Sequence, residues 1–322
     1  MPATDPRILN RAQAILSARR RQTDDACSRR ITGLQRASPE AARLYAELST
    51  LRAETLGRML RMEDTDPNQT RRLQTELDRA LQTAGLPADY LTVRPDCPAC
   101  GDTGYIDAAR CGCLTKLCAS EQLALLETVL PVQTQNFSTF DETRFSAQKS
   151  PETGLSPRLS ASKVLRQCRE FADGFADDQA IPKDSLLLMG GPGSGKTFLL
   201  SCIAQAVAAK GFWVHYAQTP AALSVLEGER FRRDADTSER DSLQNAALLL
   251  LDDLGAEWNT PSSQSALFVL ISQRLNEGRP TAVATILRPG AIAERYPPQL
   301  ASRLTGAFKT AVLFGEDLRN KS

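Results

Sequence analysis

One octapeptide, at residues 190–197, constrains this chain more than any other segment. Its residues are Gly190, Gly191, Pro192, Gly193, Ser194, Gly195, Lys196 and Thr197. The apolar run before it, Ser185–Met189, is typical of a buried strand, and a helix is predicted after it over Phe198–Lys210. Glycines let the backbone wrap closely around an anion, and the dipole of the following helix adds favourable potential there. The segment therefore predicts a strand, a phosphate-binding loop and a helix.

The last two residues of the octapeptide indicate what the loop binds. Lys196 can reach the β- and γ-phosphate oxygens of a nucleoside triphosphate, and the Thr197 hydroxyl can coordinate Mg²⁺. The alternative is a glycine-rich turn that matches the pattern by chance. The strand and the helix on its two sides favour the phosphate-binding interpretation.

A second apolar run, Leu248–Leu251, ends in two aspartates. It shows no alternation, as expected of a central parallel strand that is covered on both faces. Such a strand delivers Asp252 to the carboxyl end of the sheet, beside the phosphate loop, where it would hold Mg²⁺ mostly through water. Asp253 would orient or deprotonate the attacking water. A helix cap formed by the two aspartates is the alternative. Together the motifs predict a nucleoside triphosphatase.

Composition limits the class of protein. The chain has 322 residues, of which 42% are hydrophobic and 24% charged, with a formal net charge of +1. This suffices for a sizeable core in about two or three domains. No apolar run reaches about 18 residues and no signal peptide opens the chain, so we expect a cytoplasmic protein without a membrane segment. Any contact with nucleic acid must come from local patches, because the global charge is small.

Eight cysteines without an export signal favour metal ligands or free thiols over disulfides. Two close pairs with glycines nearby stand out: Cys97, Cys100, Cys111 and Cys113. This spacing gathers four thiolates around a tetrahedral, structural Zn²⁺. A reduced cluster without metal, an iron–sulfur site, and Cys118 in place of Cys113 are the alternatives. Ordinary buried or helical thiols are expected at Cys27, Cys168 and Cys202.

The chain divides by composition into four segments. They are a helical region at 1–90, a zinc-binding module at 91–120, a linker rich in Pro, Ser and Thr at 121–161, and an α/β domain at 162–322. In the helical region Leu44, Leu48 and Leu51 fall on one stripe, and Arg72–Leu81 repeats the pattern, which predicts helical hairpins or a short coiled coil. The last segment alternates helices with five strands, which predicts a parallel sheet covered on both faces.

The order of these motifs resembles the bacterial replicative helicase loaders of the DnaC/DnaI type over nearly the whole chain. The resemblance rests on the helical N-terminal region, C-P-x-C-G-D-T-G-Y with C-x-C, the phosphate loop, L-L-L-L-D-D-L-G, A-S-R-L-T-G and G-x-D-L-R. It implies an AAA+ module that binds ATP and Mg²⁺ and self-associates in an ATP-dependent oligomer. It also implies docking on a hexameric DnaB-type helicase through residues 1–90 and placement of that ring on single-stranded DNA. A Leu-rich stripe left open on this region would suit packing on a partner helix.

The same resemblance bears on three single residues. It implies that Arg303 is the arginine finger offered to a neighbouring subunit's γ-phosphate, with a plain surface arginine as the alternative. Arg319 matches a terminal motif without an assigned role. The family usually ends its fourth strand with a polar sensor residue, whereas this chain has Ile286, which cannot form a hydrogen bond with a phosphate. Thr285 faces the other way, and Arg288 reaches the same face only if the strand continues. We expect intact ATP binding and slow hydrolysis.

Contacts with nucleic acid are less defined. Phe231, Arg232 and Arg233 join an aromatic ring to two cations, the pairing that stacks bases and holds phosphates. The arginines at 19–21 and 29–30 are expected either to lie on a solvated helix face or to contact nucleic acid. His215, the single histidine, is expected to be structural.

Three functions remain open at this point. The first is an ATP-dependent helicase loader, which the cysteine pairs and the long helical region favour. The second is a transposition helper of the IstB type, which polymerises on duplex DNA and recruits a transposase. The third is a metal-regulated ATPase that is unrelated to DNA.

Overall fold

The computed structural model describes residues 4–62, 66–151, 154–176, 181–182, 184–228 and 238–320. It forms two compact units, one of Gln13–Leu114 and one of Met1–Ala12 together with Thr115–Ser322. The four-segment division of the sequence stays a prediction beside this two-unit organisation. Among the described helices, none has the length and apolar character that crossing a membrane requires.

The unit Gln13–Leu114, called the helical unit below, is built mainly from three helices and a two-stranded antiparallel sheet. The elements are α1 Pro6–Ala37, α2 Pro39–Leu60, α3 Pro67–Thr83, β1 Tyr105–Ile106 and β2 Ala109–Arg110. α2 begins where the Ser38 side chain accepts the N–H of Ala41 and Pro39 fixes the first turn. The prediction of a helical N-terminal region is confirmed.

The apolar stripe of the helical unit is closed, which differs from the expected open stripe. Leu44 and Leu48 of α2 are buried in one cluster with Leu34 of α1 and with Leu77 and Leu81 of α3. They hold the three helices together, so they are not available to a partner. Four exposed apolar side chains lie instead at or just past the end of α2, at Leu56, Met59, Leu60 and Met62, and Tyr105 and Ile106 of β1 are exposed as well.

The other unit, called the α/β unit, contains the remaining helices and a five-stranded sheet. The elements are α4 Gly112–Glu127, α5 Pro157–Asp173, β3 Ser185–Gly190, α6 Lys196–Ala209, β4 Val214–Gln218, α7 Thr219–Gly228, α8 Ser238–Asn245, β5 Leu248–Leu254, α9 Pro261–Asn276, β6 Thr281–Thr285, α10 Pro289–Arg295, α11 Pro298–Gly306 and β7 Phe308–Leu313. Two 3-10 turns, Glu142–Arg144 and Leu318–Asn320, accompany them.

The sheet is parallel throughout and has the strand order β4-β5-β6-β3-β7. Successive residues of a strand alternate between two cores. Leu186 and Leu248 pack with α5 and α6, whereas Leu187 and Leu249 pack with α7, α9 and α11. Because both faces are covered, every side chain of these strands can be apolar, which explains the absence of alternation in the sequence. The predicted five-stranded parallel sheet is confirmed.

The boundaries of several elements differ from the predicted ones for local reasons. α6 begins at Lys196, because Gly195 with φ 93° is its N-cap and the lysine is already helical. β5 continues past Leu251, because the chain passes through a bulge at the two aspartates before Leu254 pairs again with Thr285. The strand is therefore longer than its apolar run.

The segment predicted as a linker is packed into the α/β unit. Leu130, Val132 and Phe145 are buried in the same core as α5 and α6. Phe140 stacks on Phe145 at 5.7 Å between ring centroids and meets Phe198 of α6 edge-on at 5.5 Å. Residues 130–145 are thus part of the folded unit that carries the phosphate loop.

Both tryptophans of the chain lie in the α/β unit. Trp213 packs in the core below α6 and is 6% exposed. Trp258, in the loop between β5 and α9, is 88% exposed. The two indoles therefore sit in opposite environments.

Candidate nucleotide site and cysteine cluster

The loop that joins β3 to α6 depends on its glycines. Gly193 and Gly195 have φ values of 64° and 93°, in the left-handed region that glycine adopts without strain. A Cβ added at Gly190 would lie 2.6 Å from Ser194 Oγ and 2.7 Å from Leu313 O. The close packing of the loop against β7 thus excludes a side chain at this position.

The Lys196 ammonium is held by the loop itself. Its Nζ donates to Gly190 O at 3.0 Å and to Gly191 O at 2.8 Å. Burial lowers the pKa of Lys196, while the charges of Asp252 and Asp253 oppose that shift. The ammonium of Lys196 therefore already lies at the loop. Its N–H groups bond neutral carbonyl oxygens, and an anion in the loop can accept these hydrogen bonds instead.

A hydroxyl and a carboxylate meet beside the loop. Thr197 Oγ1 donates to Asp252 Oδ2 at 2.7 Å, and Tyr216 of β4 donates its hydroxyl to the same oxygen at 3.2 Å. The N–H of Asp253 donates to Asp252 Oδ1 at 2.9 Å. Asp252 is 2% exposed, and this burial raises its pKa. Hydroxyl and carboxylate oxygens are ligands that suit Mg²⁺, so this donor set fits the metal that a P-loop fold implies.

Asp253 lies at the bulge of β5 and differs from Asp252 in its surroundings. Its φ is 54°, a left-handed value that is uncommon for a residue other than glycine. The bulge turns its exposed side chain toward the phosphate loop, whereas Asp252 stays buried. Asp252 therefore has a buried carboxylate, whereas the carboxylate of Asp253 is exposed next to the phosphate loop.

These residues surround a cavity of about 330 Å³. Besides residues of the loop and Phe198, its walls contain Gln135, Arg144, Asp253, Ile286, Leu318 and Arg319. Two arginines and one lysine face this space, so it suits an anionic ligand.

The C-terminal part of the chain closes one wall of the cavity. The N–H of Leu318 donates to Gly193 O at 3.1 Å, and Arg144 Nη2 donates to Leu318 O at 3.0 Å. A Cβ at Gly193 would collide with the carboxylate of Asp317, so this glycine also makes room for the C-terminal turn. Arg319, which the sequence left without a role, lies at the phosphate loop.

Sequence reasoning missed Gln135 and Arg144, because their segment was taken as a linker. A signal was present: Phe137, Phe140 and Phe145 follow each other closely there, and a solvated linker rarely carries three aromatic residues. The aromatic residues pack against α6 and the end of the phosphate loop, which brings Arg144 to the cavity.

Ile286 lines the cavity with its side chain 54% exposed. Its neighbour Thr285 is fully buried, donates its hydroxyl to Leu254 O at 2.6 Å and accepts the N–H of Leu287 at 3.0 Å. β6 ends at Thr285, so the strand does not continue to Arg288. The position is therefore apolar, and neither Thr285 nor a continued strand replaces a polar sensor.

Arg303 lies on α11. Its Nε donates to Ser272 Oγ at 2.8 Å, and its guanidinium stacks 5.0 Å from the centre of the Phe268 ring. It is not among the described residues that line the nucleotide cavity of its own chain. The arginine is held on the surface of α9 by one hydrogen bond and one cation–π contact.

The four cysteines singled out above come together in the helical unit. The Sγ atoms of Cys97, Cys100, Cys111 and Cys113 all lie within 4.8 Å of one another. Cys97 and Cys111 Sγ are 3.8 Å apart, Cys100 and Cys113 Sγ are 3.4 Å apart, and all four cysteines are free of disulfides. Tetrahedral Zn–S bonds of about 2.3 Å place sulfur atoms about 3.8 Å apart. The cluster thus fits a tetrathiolate zinc site.

The other cysteines lie outside this group. Cys118 is buried in α4, and Cys168 and Cys202 are buried in the α/β unit. Burial raises the pKa of Cys202 to about 12 and raises that of Cys168 as well. Such protonated, enclosed thiols have the character of structural cysteines.

The aromatic and basic triplet at 231–233, His215 and the arginines of α1 differ in their surroundings. Phe231, Arg232 and Arg233 lie outside the described residues. His215 Nε2 lies 3.1 Å from Glu239 Oε1, and this contact lowers the pKa of the glutamate. Of the arginines on α1, Arg30 donates to two backbone carbonyls, which gives it a structural contact.

The strand order, the glycine-rich loop after β3 and the acidic pair on β5 define an AAA+ P-loop fold, that of a nucleotide-binding ATPase. Residues 174–287 match the family described as IstB-like ATP binding protein. This match contains the phosphate loop, the acidic pair and the strands β3 to β6.

Two curated relatives match beyond that domain. The chain is 30% identical over 213 residues to the chromosomal replication initiator protein DnaA of Sphingopyxis alaskensis, which covers 62% of this chain and 44% of the relative. It is 25% identical over 227 residues to an ATP-binding protein in an insertion sequence of Mycobacterium tuberculosis, which covers 70% of this chain and 84% of the relative. The chain thus spans less than half the length of DnaA.

Two solved structures align with somewhat more than half of this chain. The DnaC helicase loader aligns with a TM-score of 0.46 and 20% identity over 57% of this chain and 98% of that chain. DnaI aligns with a TM-score of 0.45 and 19% identity over 59% of this chain and 93% of that chain.

Proposed function

We propose that this protein is an ATP-dependent loader that binds a hexameric DnaB-type replicative helicase and helps place it on single-stranded DNA. The observation that carries the proposal is the combination of a complete phosphate loop and acidic pair with a separate helical unit that exposes an apolar helix end. A loader needs a nucleotide-responsive part and a docking part, and this chain has a candidate for each.

In the nucleotide site, Lys196 and the loop amides would hold the phosphates of ATP. Thr197 and Asp252 would hold Mg²⁺, which supplies charge neutralisation at the phosphates when bound. Asp253, at the bulge beside the loop, would orient or deprotonate the attacking water. Arg319, at the opposite wall, adds a cation near the phosphates.

Hydrolysis in this site should be slow. Ile286 offers no hydrogen bond to a phosphate or a water, and Arg303 is absent from the cavity of its own chain. We propose that Arg303 acts on the site of a neighbouring subunit in an ATP-dependent oligomer, after it leaves Ser272 and Phe268. A dilute monomer then lacks both a polar sensor and an arginine finger.

The docking surface for the helicase is assigned to the exposed end of α2, defined by Leu56, Met59, Leu60 and Met62. The support is that Leu56, Met59 and Leu60 lie on the last turns of α2, that Met62 follows the end of this helix, and that all four side chains are exposed. Met and Leu side chains adapt well to a partner helix laid against them. Contact with single-stranded DNA is assigned to the α/β unit.

A co-elution experiment tests the loader. The full-length protein should co-elute with the host's DnaB-type helicase in size-exclusion chromatography. The double variant Leu60→Glu, Met62→Glu should lose co-elution, because the charges cannot be buried against an apolar partner. Val129→Glu is the matched control, since Val129 is also exposed but lies in the α/β unit. Retention of the complex by the double variant would remove the docking assignment.

The transposition helper of the IstB type is the second candidate. The match of residues 174–287 to the IstB-like family, together with the relative in an insertion sequence, favours it. A helper should sediment as ATP-dependent filaments on duplex DNA and should not bind the helicase. A loader should bind the helicase and should form no such filaments on duplex DNA. A protein that responds to neither DNA nor helicase would support the third candidate, an ATPase unrelated to DNA.

The four clustered cysteines are proposed to hold one structural Zn²⁺. Four thiolates satisfy a closed tetrahedral site, and the binding energy would support the local fold. Protein purified without added metal should contain close to one equivalent of zinc by elemental analysis. Less than about half an equivalent, or full metal content in a Cys100→Ser variant, would refute this proposal.

A further inference from the structure

The tripeptide between the two cysteine pairs, Asp102-Thr103-Gly104, has no part in the nucleotide site or the docking surface. It forms a tight turn inside the cysteine cluster. Asp102 and Gly104 both have left-handed backbones, with φ values of 57° and 80°. A Cβ at Gly104 would lie 2.8 Å from a Leu16 methyl carbon. The turn is therefore enclosed on its inner side.

Asp102 has an unusual environment for an acidic residue, because it is fully buried. Its Oδ2 accepts the N–H of Asp96 at 2.8 Å, and its Oδ1 accepts the N–H of Cys97 at 3.0 Å. A buried carboxylate is costly unless its oxygens accept hydrogen bonds, and here each oxygen has a backbone donor. The carboxylate thereby fixes the backbone at and just before the first cysteine.

The rest of the turn contacts both cysteine pairs. Thr103 Oγ1 donates to Cys100 O at 2.7 Å, and the N–H of Gly104 donates to Cys100 Sγ at 3.3 Å. Gly104 O in turn accepts the N–H of Cys111 at 2.8 Å. The tripeptide is thus hydrogen-bonded to Cys97 and Cys100 of the first pair and to Cys111 of the second.

We propose that Asp102 is a positioning residue for the tetrathiolate metal site. Its carboxylate holds the Cys97 backbone in the one orientation that turns the Cys97 thiolate toward the other three. This inference rests on the zinc site proposed above. Partners that orient metal ligands are commonly worth about 10–100-fold in metal affinity, and Asp102 is expected to fall in that range.

A simpler role for Asp102 makes a different prediction. Asn and Asp adopt left-handed backbones more readily than most residues, and glycine does so without strain. If Asp102 served only this turn, Asp102→Gly would be neutral. If its carboxylate positions Cys97, Asp102→Gly should weaken metal binding despite the relaxed backbone. Asp102→Asn should weaken it too, because the amide has one acceptor oxygen and no charge.

The experiment uses the full-length protein and two readouts that do not depend on ATPase activity. Competition with a chromophoric chelator measures zinc affinity, and the absorption of the Co²⁺-substituted protein reports tetrahedral thiolate coordination. We expect a loss of about 10–100-fold in affinity for both Asp102 variants, with weakened Co²⁺ bands. Asp107→Asn is the matched control, because Asp107 is in the same module, exposed and also left-handed with φ 47°.

The outcomes separate the two proposals. Wild-type affinity and an unchanged Co²⁺ spectrum in Asp102→Gly would overturn the role of Asp102 and leave the zinc site standing. A wild-type protein that holds no zinc would overturn the site and this assignment with it. Circular dichroism and ATP binding verify that each variant is folded. If Asp102→Gly fails this check, the milder Asp102→Asn decides.

Discussion

At the scale of single residues, the buried carboxylate of Asp252 is held by hydrogen bonds on both of its oxygens. One carboxylate oxygen accepts the hydroxyls of Thr197 and Tyr216, and the other accepts the N–H of Asp253. Burial raises the pKa of Asp252, whereas the two hydroxyl donors oppose that shift by stabilising the charged form. Burial also raises the pKa of Tyr216, which keeps its phenol protonated as a donor.

This arrangement predicts a pH effect in Tyr216→Phe. Mg²⁺ binds the ionised carboxylate, so Mg²⁺-dependent nucleotide binding should fail as the pH falls through the raised pKa of Asp252. Loss of the phenol removes a donor to the charged form, so the pKa rises further and the failure should begin at higher pH, by up to about one unit. Titration with a fluorescent nucleotide at several pH values measures the shift. Tyr105→Phe, at an exposed position of the helical unit, should leave the profile unchanged.

Two variants separate phosphate binding from metal binding. Lys196→Ala should weaken ATP binding by about tenfold or more, because it removes a charge-assisted contact to the phosphates. Asp252→Asn should keep the affinity measured without Mg²⁺ and lose the gain that Mg²⁺ produces. Nucleotide titrations with and without the metal measure both effects. Wild-type affinity in Lys196→Ala would show that the loop is not a nucleotide site.

Ile286 and Arg303 predict how turnover responds to assembly. Ile286→Asn places an amide at the cavity wall and should raise ATP turnover when helicase and DNA are present. If Arg303 acts on the site of a neighbouring subunit, as proposed, Arg303→Ala should lower turnover in the oligomer and leave nucleotide binding intact. Steady-state assays over a range of protein concentrations test both. Fast hydrolysis by dilute monomer that survives Arg303→Ala would contradict this division.

At the scale of elements, α9 is joined to its neighbours by a fully buried arginine. Arg274 donates to Thr281 Oγ1 and to the backbone carbonyls of Leu243, Gln244 and Pro280, at 2.8–3.2 Å. Burial lowers its pKa to about 9. The guanidinium thus satisfies carbonyls at the end of α8 and at the start of β6, and it keeps these elements in register with α9.

Arg274→Met should therefore lower the free energy of unfolding by about 3 kcal/mol or more, because several buried carbonyls lose their donors. Urea denaturation followed by circular dichroism measures the change. The control is Arg166→Met on α5, whose charge lies in an exposed pair with Glu170 and should contribute less than about 0.5 kcal/mol. Equal effects of the two substitutions would contradict this account.

Some elements could be predicted from the sequence, and others could not. β3, the phosphate loop and α6 were predictable, because their signals are local: an apolar run, glycines and a helix start. The bulge at Asp253 was not, since it arises from pairing between β5 and β6. For the same reason Arg144 was missed and Arg319 was left without a role, because packing of distant segments brings them to the loop. Ile286 was recognised because the departure lies in one position of a known pattern.

At the scale of the whole molecule, each of the two units carries its own proposed ligand. The phosphate loop belongs to the α/β unit and the cysteine cluster to the helical unit. A ligand stabilises the fold that binds it, by about 2.7 kcal/mol at a concentration one hundred times its Kd. ATP with Mg²⁺ and Zn²⁺ should therefore protect different parts of the chain.

Hydrogen exchange with mass spectrometry tests this division. Nucleotide should slow exchange in β3, α6 and β5, whereas chelation of zinc should speed exchange around β1 and β2 first. A Lys196→Ala protein should lose the first response and keep the second, and Cys100→Ser should do the opposite. Identical exchange patterns on adding nucleotide and on removing zinc would contradict separate ligand sites.

The positions of the two tryptophans allow intrinsic fluorescence to follow one unit of the chain. Trp213 and Trp258 both belong to the α/β unit, so indole fluorescence does not report unfolding of the helical unit. Iodide in the solvent should quench the exposed Trp258 and spare the enclosed Trp213, which splits the emission into a surface signal and a core signal. Because Trp258 lies in the loop that follows the acidic pair, its quenching reports changes in that loop without any added dye.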